Sequence, residues 1–254
     1  SLTRVVNFFI LPVLAVVAAR DASAQYYSWG ADPLGLKWMK GSTPNVEVIY
    51  PKSAAQIGHT TLYYADRLNP YIAYGYKLPA LDLPFVVHPE NMKSNGLVMW
   101  LPKRVEFLSS PSIDGYSMPW LKQLVAHEYR HAAQYNNLNV GLVKFLSYIL
   151  GQQSSTIGLV FMPLWMMEGD AVMTETEMST FGRGKQPSFS LAYRAYGNIA
   201  TLTNNRDKWF CGSYRDFVPD HYQLGYFMCR HGYDTYGAVL GNDMAAILAR
   251  RPYM

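Results

Sequence analysis

The sequence has little charge and almost no cysteine. Asp, Glu, Lys and Arg make up 16% of its 254 residues, with a formal net charge of +4. No run of lysine or arginine suits a phosphate backbone, which disfavours nucleic acid as a partner. The two cysteines, Cys211 and Cys229, are too few for a disulfide-dense scaffold. They also lack the partner C-x-x-C pair of a cysteine-based zinc site, although in an oxidising compartment they could bridge each other. No repeat and no low-complexity linker interrupts the chain, which favours one domain. The longest apolar run, VVNFFILPVLAVVAA, is too short for a convincing membrane span and is broken by Pro12.

That run has another use. Arg4 supplies a positive start, the run has the length of a signal-peptide core, and Ala22-Ser23-Ala24 is a small-x-small cleavage signal before Gln25. Residues 1–24 are therefore expected to be a signal peptide and residues 25–254 the mature domain. Loss of Arg4, Arg20 and Asp21 moves the net charge only from +4 to +3. The expected location is outside the cytoplasm: the periplasm or cell envelope of a Gram-negative bacterium, or the medium.

Half of the residues are hydrophobic and 20 are tyrosine, enough for a substantial core and a cleft with wet aromatic edges. Asn45 to Tyr50 alternates as a strand, and Pro51 and Ser53 open a helical pattern running to about Tyr76. Leu83–His88, Ser94–Pro102 and the following RVEFLSSP read as further strands, with Asn95-Gly96 as a turn into the second. From Pro119 the apolar period becomes helical. GLVKFLSYILGQQ reads as a second helix and PLWMMEGDAVMTETEM as a third, with Pro163 at its start. Beyond about Pro187 the chain is mostly helical, with a break at Pro219. A small mixed sheet followed by helices predicts an α+β fold.

The chemistry concentrates in LVAHEYRHAAQY. His127 and His131 are one helical turn apart and share a face, so both can reach one metal ion, with Glu128 beside them. Zinc accepts neutral imidazoles, and catalytic sites use three protein ligands and leave a fourth position open. A metzincin would need glycine and histidine where Gln134 and Asn137 stand, which excludes that subclass. Glu168, in WMMEGDAVMTE on a later helix, completes a His-His-Glu set around one zinc ion.

HEYRH followed by Trp165-x-x-Glu168-Gly169-x-Ala171-x-x-x-Glu175 resembles the gluzincin zinc peptidases. The resemblance implies a zincin-like fold, with the active-site helix between a small mixed sheet and a mainly helical part. It makes Glu168 the third ligand and Glu175 a carboxylate supporting a metal-bound histidine. HYQLGY is similar to the Y-x-x-G motif of the aminopeptidase branch, whose tyrosine stabilises the oxyanion; Tyr222 holds that place, with His221 as a weaker candidate. No G-A-M-E-N-type motif for a substrate N-terminus is present, so an exopeptidase assignment does not carry over. Over nearly the whole mature chain, including SNGLVMWLPKR and RRPYM, the sequence looks closest to exported Bacteroidetes proteins that fuse a gluzincin-like domain to a Tol-type β-propeller. A fused or associated propeller is implied as a partner.

The expected function is zinc-dependent peptide-bond hydrolysis, most simply as an endopeptidase, with Glu128 as general base. A peptide or protein substrate would pair with an edge strand; Asn95, Gly96 and Leu97 are the candidate contacts. Arg215 would orient a substrate carboxylate or pair with Asp216 or Asp220. The alternatives are a non-catalytic zincin-like binding module of an envelope complex and a cell-wall peptide amidase.

Overall fold

In a computed structural model, the described residues are 32–100, 102–113, 118–151, 162–196, 208, 210, 212–215, 217–218 and 220–250. The signal-peptide region, Cys211, Asp216 and Pro219 lie outside them. The chain divides into Ser1–Leu36 and Lys37–Met254. The described end of the first unit holds a turn in which Leu36 N donates to Pro33 O.

The fold is α+β: five strands in one mixed sheet and, among the described residues, seven α-helices. The strands are β1 Trp38–Ser42, β2 Glu47–Pro51, β3 Phe85–His88, β4 Ser94–Trp100 and β5 Lys103–Ser109. Their order is β1-β2-β3-β5-β4, antiparallel at the two outer pairings and parallel between. The helices are α1 Ala55–Ile72, α2 Trp120–Leu138, α3 Gly141–Leu150, α4 Leu164–Glu177, α5 Pro187–Tyr196, α6 His221–Tyr236 and α7 Leu240–Arg250.

Val48, Phe85, Val87, Val105 and Phe107 are buried on the three inner strands, and they pack in one cluster with Ala65, Leu68 and Ile72 of α1 and Val125, Tyr129 and Ala132 of α2. A second cluster joins α4, α5, α6 and α7 through Met166, Val172, Phe189, Tyr226, Cys229 and Ala245. Helix α2 contributes to both, with Leu138 in the second cluster, and nearly all of it from Val125 to Gln134 is buried. Burial on every side holds its polar residues in place, because each must find a partner away from water. Cys229 is a buried free thiol that donates to Met166 O. Among the described residues no helix is long and apolar enough to cross a membrane.

Two expectations need correction. Asn95-Gly96 is not a turn: both residues lie inside β4, opposite Leu108 and Phe107 of β5. The glycine serves a close approach, described below. The first long helix stops at Ile72 rather than near Tyr76, and Gly75 then takes the left-handed conformation at φ 83°. Strand β1 escaped the sequence pattern because it is an edge with four of its five residues exposed, so burial imposes no alternation on it.

Candidate metal centre and active site

Helices α2 and α4 bring three potential ligands into contact. His127 and His131 Nε2 stand 3.2 Å apart, and Glu168 Oε2 is 3.0 Å from the first and 3.5 Å from the second. All three residues are buried. Ligand atoms about 2.0–2.1 Å from a tetrahedral zinc ion lie roughly 3.3 Å from one another. The donor triangle therefore has the dimensions of one face of a zinc tetrahedron.

Outer contacts decide which way the imidazoles present themselves. Gln134 Nε2 donates to Met167 O at 2.9 Å and to Asp170 Oδ2 at 2.8 Å, so its Oε1 is an acceptor. His131 Nδ1, 2.7 Å from that oxygen, must carry a proton, which leaves Nε2 as a lone pair in the neutral ring. His127 Nδ1 donates likewise to Glu175 Oε2 at 3.1 Å. Two lone pairs and a carboxylate then converge, and a positive species between them is required. With no metal bound, a proton serves. Burial opposes charge on His127, but its hydrogen bonds to Glu168 and Glu175 raise its pKa to about 9. Burial would raise Glu168; the charge of His131 and hydrogen bonds from both histidines hold it well below the ordinary carboxylate range. A metal ion bound between these groups would displace that proton. The donor set of two imidazoles and one carboxylate suits zinc.

Glu128 lies on the same face of the cleft, against β4. A Cβ on Gly96 would come within 2.6 Å of Glu128 Cγ and 2.9 Å of its Oε1. No other residue lets the strand backbone run this close to the carboxylate. Burial raises the pKa of Glu128, and His127 and His131 oppose the shift.

Tyr222 completes the wall, its ring centroid 6.1 Å from that of His127. Asp220 caps α6 by accepting from Tyr222 N at 3.2 Å, which starts the helix at the required residue. One turn later, Gly225 meets Gly169 of α4. A Cβ on Gly225 would lie 1.8 Å from Trp165 O, and one on Gly169 would lie 2.1 Å from the Gly225 carbonyl carbon. The glycines of E-G and Y-x-x-G thus have a common physical purpose: they let the two helices touch, carrying Tyr222 towards Glu168. Gly225→Ala is expected to force the helices apart, lowering stability by about 1–3 kcal/mol. Thermal denaturation checks the loss.

The cleft measures about 300 Å³ and is lined by His127, Glu128, His131, Glu168, Glu175 and Tyr222, with Asn95, Gly96 and Leu97 of β4 along its rim. The expected metal ligands, general base, supporting carboxylate, Tyr222 and the three β4 contacts all meet there. His221 does not lie on the cleft wall, and its Nδ1 is engaged with Asp220 at 2.8 Å. Arg215 is exposed and stands apart from the cleft lining. Sequence reasoning passed over Gln134, Arg183, Arg130 and Asp170. Gln134 had registered only as the residue that is not a metzincin glycine, and its role depends on contacts with α4 that no local pattern announces. No protein-family model, no curated protein and no solved structure matches this chain.

Proposed function

We propose that this chain is a zinc-dependent metallopeptidase that hydrolyses internal peptide bonds of an extended substrate. The observation that carries the proposal is the donor triangle of His127, His131 and Glu168, with edges of 3.0–3.5 Å and both outer imidazole nitrogens occupied by acceptors. Zinc held there would supply Lewis acidity, acidifying a water molecule and polarising the scissile carbonyl.

The chain's own residues divide the remaining work. Glu128 accepts a proton from the attacking water and delivers it to the leaving amine as the C–N bond breaks. Burial raises its proton affinity towards the range useful for both transfers. Burial likewise raises the pKa of Tyr222, with the charge of Glu168 adding to the effect, so the phenol keeps its proton and can donate a hydrogen bond to the developing oxyanion. β4 is the terminal strand of the sheet among the described residues, and its outer edge would offer main-chain hydrogen bonds to a peptide laid alongside Asn95, Gly96 and Leu97. Gly96 sets the distance between that peptide and Glu128.

An export signal and a fused or associated propeller belong to the same proposal, as expectations from the sequence. The test is a broad peptide-library digestion with wild-type protein and Glu128→Gln, alongside zinc analysis of both. Cleavage that requires zinc and Glu128 supports the peptidase. Bound zinc without Glu128-dependent cleavage anywhere in the library supports a binding module instead.

A further inference from the structure

The geometry points to Arg183 as a positioning residue that holds Glu175 on the metal-binding histidine His127 and carries the ring of Tyr222 on its other face. The inference rests on the metal site proposed above.

Arg183 opens a short 3-10 turn, Arg183–Lys185, after α4 has ended. Glycines flank it. A Cβ on Gly182 would lie 2.3 Å from Thr176 Cα, and one on Gly184 would lie 2.4 Å from the Tyr226 ring. Gly184 N donates to Thr176 Oγ1 at 3.2 Å, and Lys185 Nζ to Ser179 O at 3.2 Å. The Gly-Arg-Gly turn is thus pressed onto the end of α4, and its arginine is delivered into the cleft.

There Glu175 is wholly buried and carries a full set of donors. Arg183 Nε pairs with Oε1, and Gln123 Nε2 donates to the same oxygen at 3.3 Å. Arg183 Nη2 donates to Oε2 at 3.3 Å, the oxygen that also accepts from His127 Nδ1 at 3.1 Å. Nη2 also stands 3.1 Å from His127 Nδ1, so guanidinium, carboxylate and imidazole meet in one contact. The guanidinium therefore engages both carboxylate oxygens, Oε1 by an ion pair and Oε2 by a hydrogen bond, and Oε2 is the oxygen aimed at the imidazole. The same guanidinium carbon stands 5.2 Å from the Tyr222 ring centroid, within cation–π range. One side chain consequently ties the ligand His127 to the oxyanion-binding Tyr222.

The experiment is zinc affinity, by competition with a chromophoric chelator, for wild type, R183Q, R183K and E175Q, with the melting temperature of each metal-free protein. Loss of an outer partner of a metal ligand typically weakens binding 10–100-fold. R183Q is expected to fall in that range and R183K between it and wild type, because lysine keeps the charge and cannot reach both carboxylate oxygens at once. The double variant R183Q/E175Q is expected to bind no more weakly than the worse single variant, since both act through one contact. The lysine variant provides the reading should glutamine at 183 prevent folding. Zinc bound by R183Q or R183K at wild-type strength would overturn the role of Arg183 alone. Failure of wild type to bind zinc would overturn the metal site and the inference with it. A merely structural arginine would lower the melting temperature and leave zinc affinity unchanged.

Discussion

Glu128→Gln is expected to reduce peptide cleavage by about 10²–10⁴-fold, the usual contribution of a positioned general base, while zinc content stays at the wild-type level. Glutamine has nearly the same shape as glutamate, so the packing of residue 128 against Gly96 survives. It cannot accept the water proton. The donor triangle does not include residue 128, so the metal should be retained. The loss should fall on kcat, because the proton is transferred in the transition state and not on binding. Steady-state kinetics on any peptide found in the library screen, paired with metal analysis, measures both. Residual activity within a factor of three of wild type would remove Glu128 from the mechanism.

A second large effect is expected at a place that does no chemistry. Arg130, between the two histidines in sequence and about a quarter-turn around α2 from them, is 1% exposed. Its Nε and Nη2 donate to the two oxygens of Asp170 at 2.8 Å each, and Nη1 donates to Ile72 O and Tyr74 O at 2.8 Å. Its guanidinium lies 4.3 Å from the Tyr76 ring centroid. Asp170 also accepts from Gln134 at 2.8 Å, Tyr76 at 3.0 Å and Tyr233 at 3.2 Å. Burial would raise the pKa of Asp170, yet the charge of Arg130 and these bonds hold it below the ordinary range. Asp170→Ala strands a buried guanidinium, for which a loss of about 3–5 kcal/mol is expected. At this chain length that corresponds to a fall in melting temperature of roughly 6–20 °C. Replacing both partners with apolar residues should recover much of the loss, because no charge is then left unpaired. Gln134 loses an acceptor in either variant, so zinc affinity should weaken as well. A melting temperature within a degree or two of wild type for Asp170→Ala would show that the network contributes nothing.

These residues mark the boundary of what the sequence reveals. His127, Glu128 and His131 are legible because helical periodicity places i and i+4 on one face whatever surrounds them. Glu168 and Glu175 are legible through a motif spaced two turns apart on one helix. The strand at Ser94–Trp100 is legible from its composition, and its place at the end of the described sheet follows from the order of pairing, which the sequence does not state. Gly96 was misread because Asn-Gly is a strong turn signal, whereas here the missing side chain makes room for Glu128. Gln134 and the Arg130–Asp170 pair act across helices that are distant in the chain, and Arg183 reaches Glu175 only because a turn after α4 folds back onto that helix. Their partners come from tertiary packing, and no local spacing encodes them.

The central claim is that His127, His131 and Glu168 form one metal site. Its most direct test is a crystal of the wild-type protein grown with zinc, with anomalous diffraction measured on both sides of the zinc absorption edge. The account predicts one zinc peak per chain at about 2.0–2.2 Å from both histidine Nε2 atoms and a Glu168 oxygen. A peak at another place, or no peak between these three side chains at saturating zinc, would contradict it.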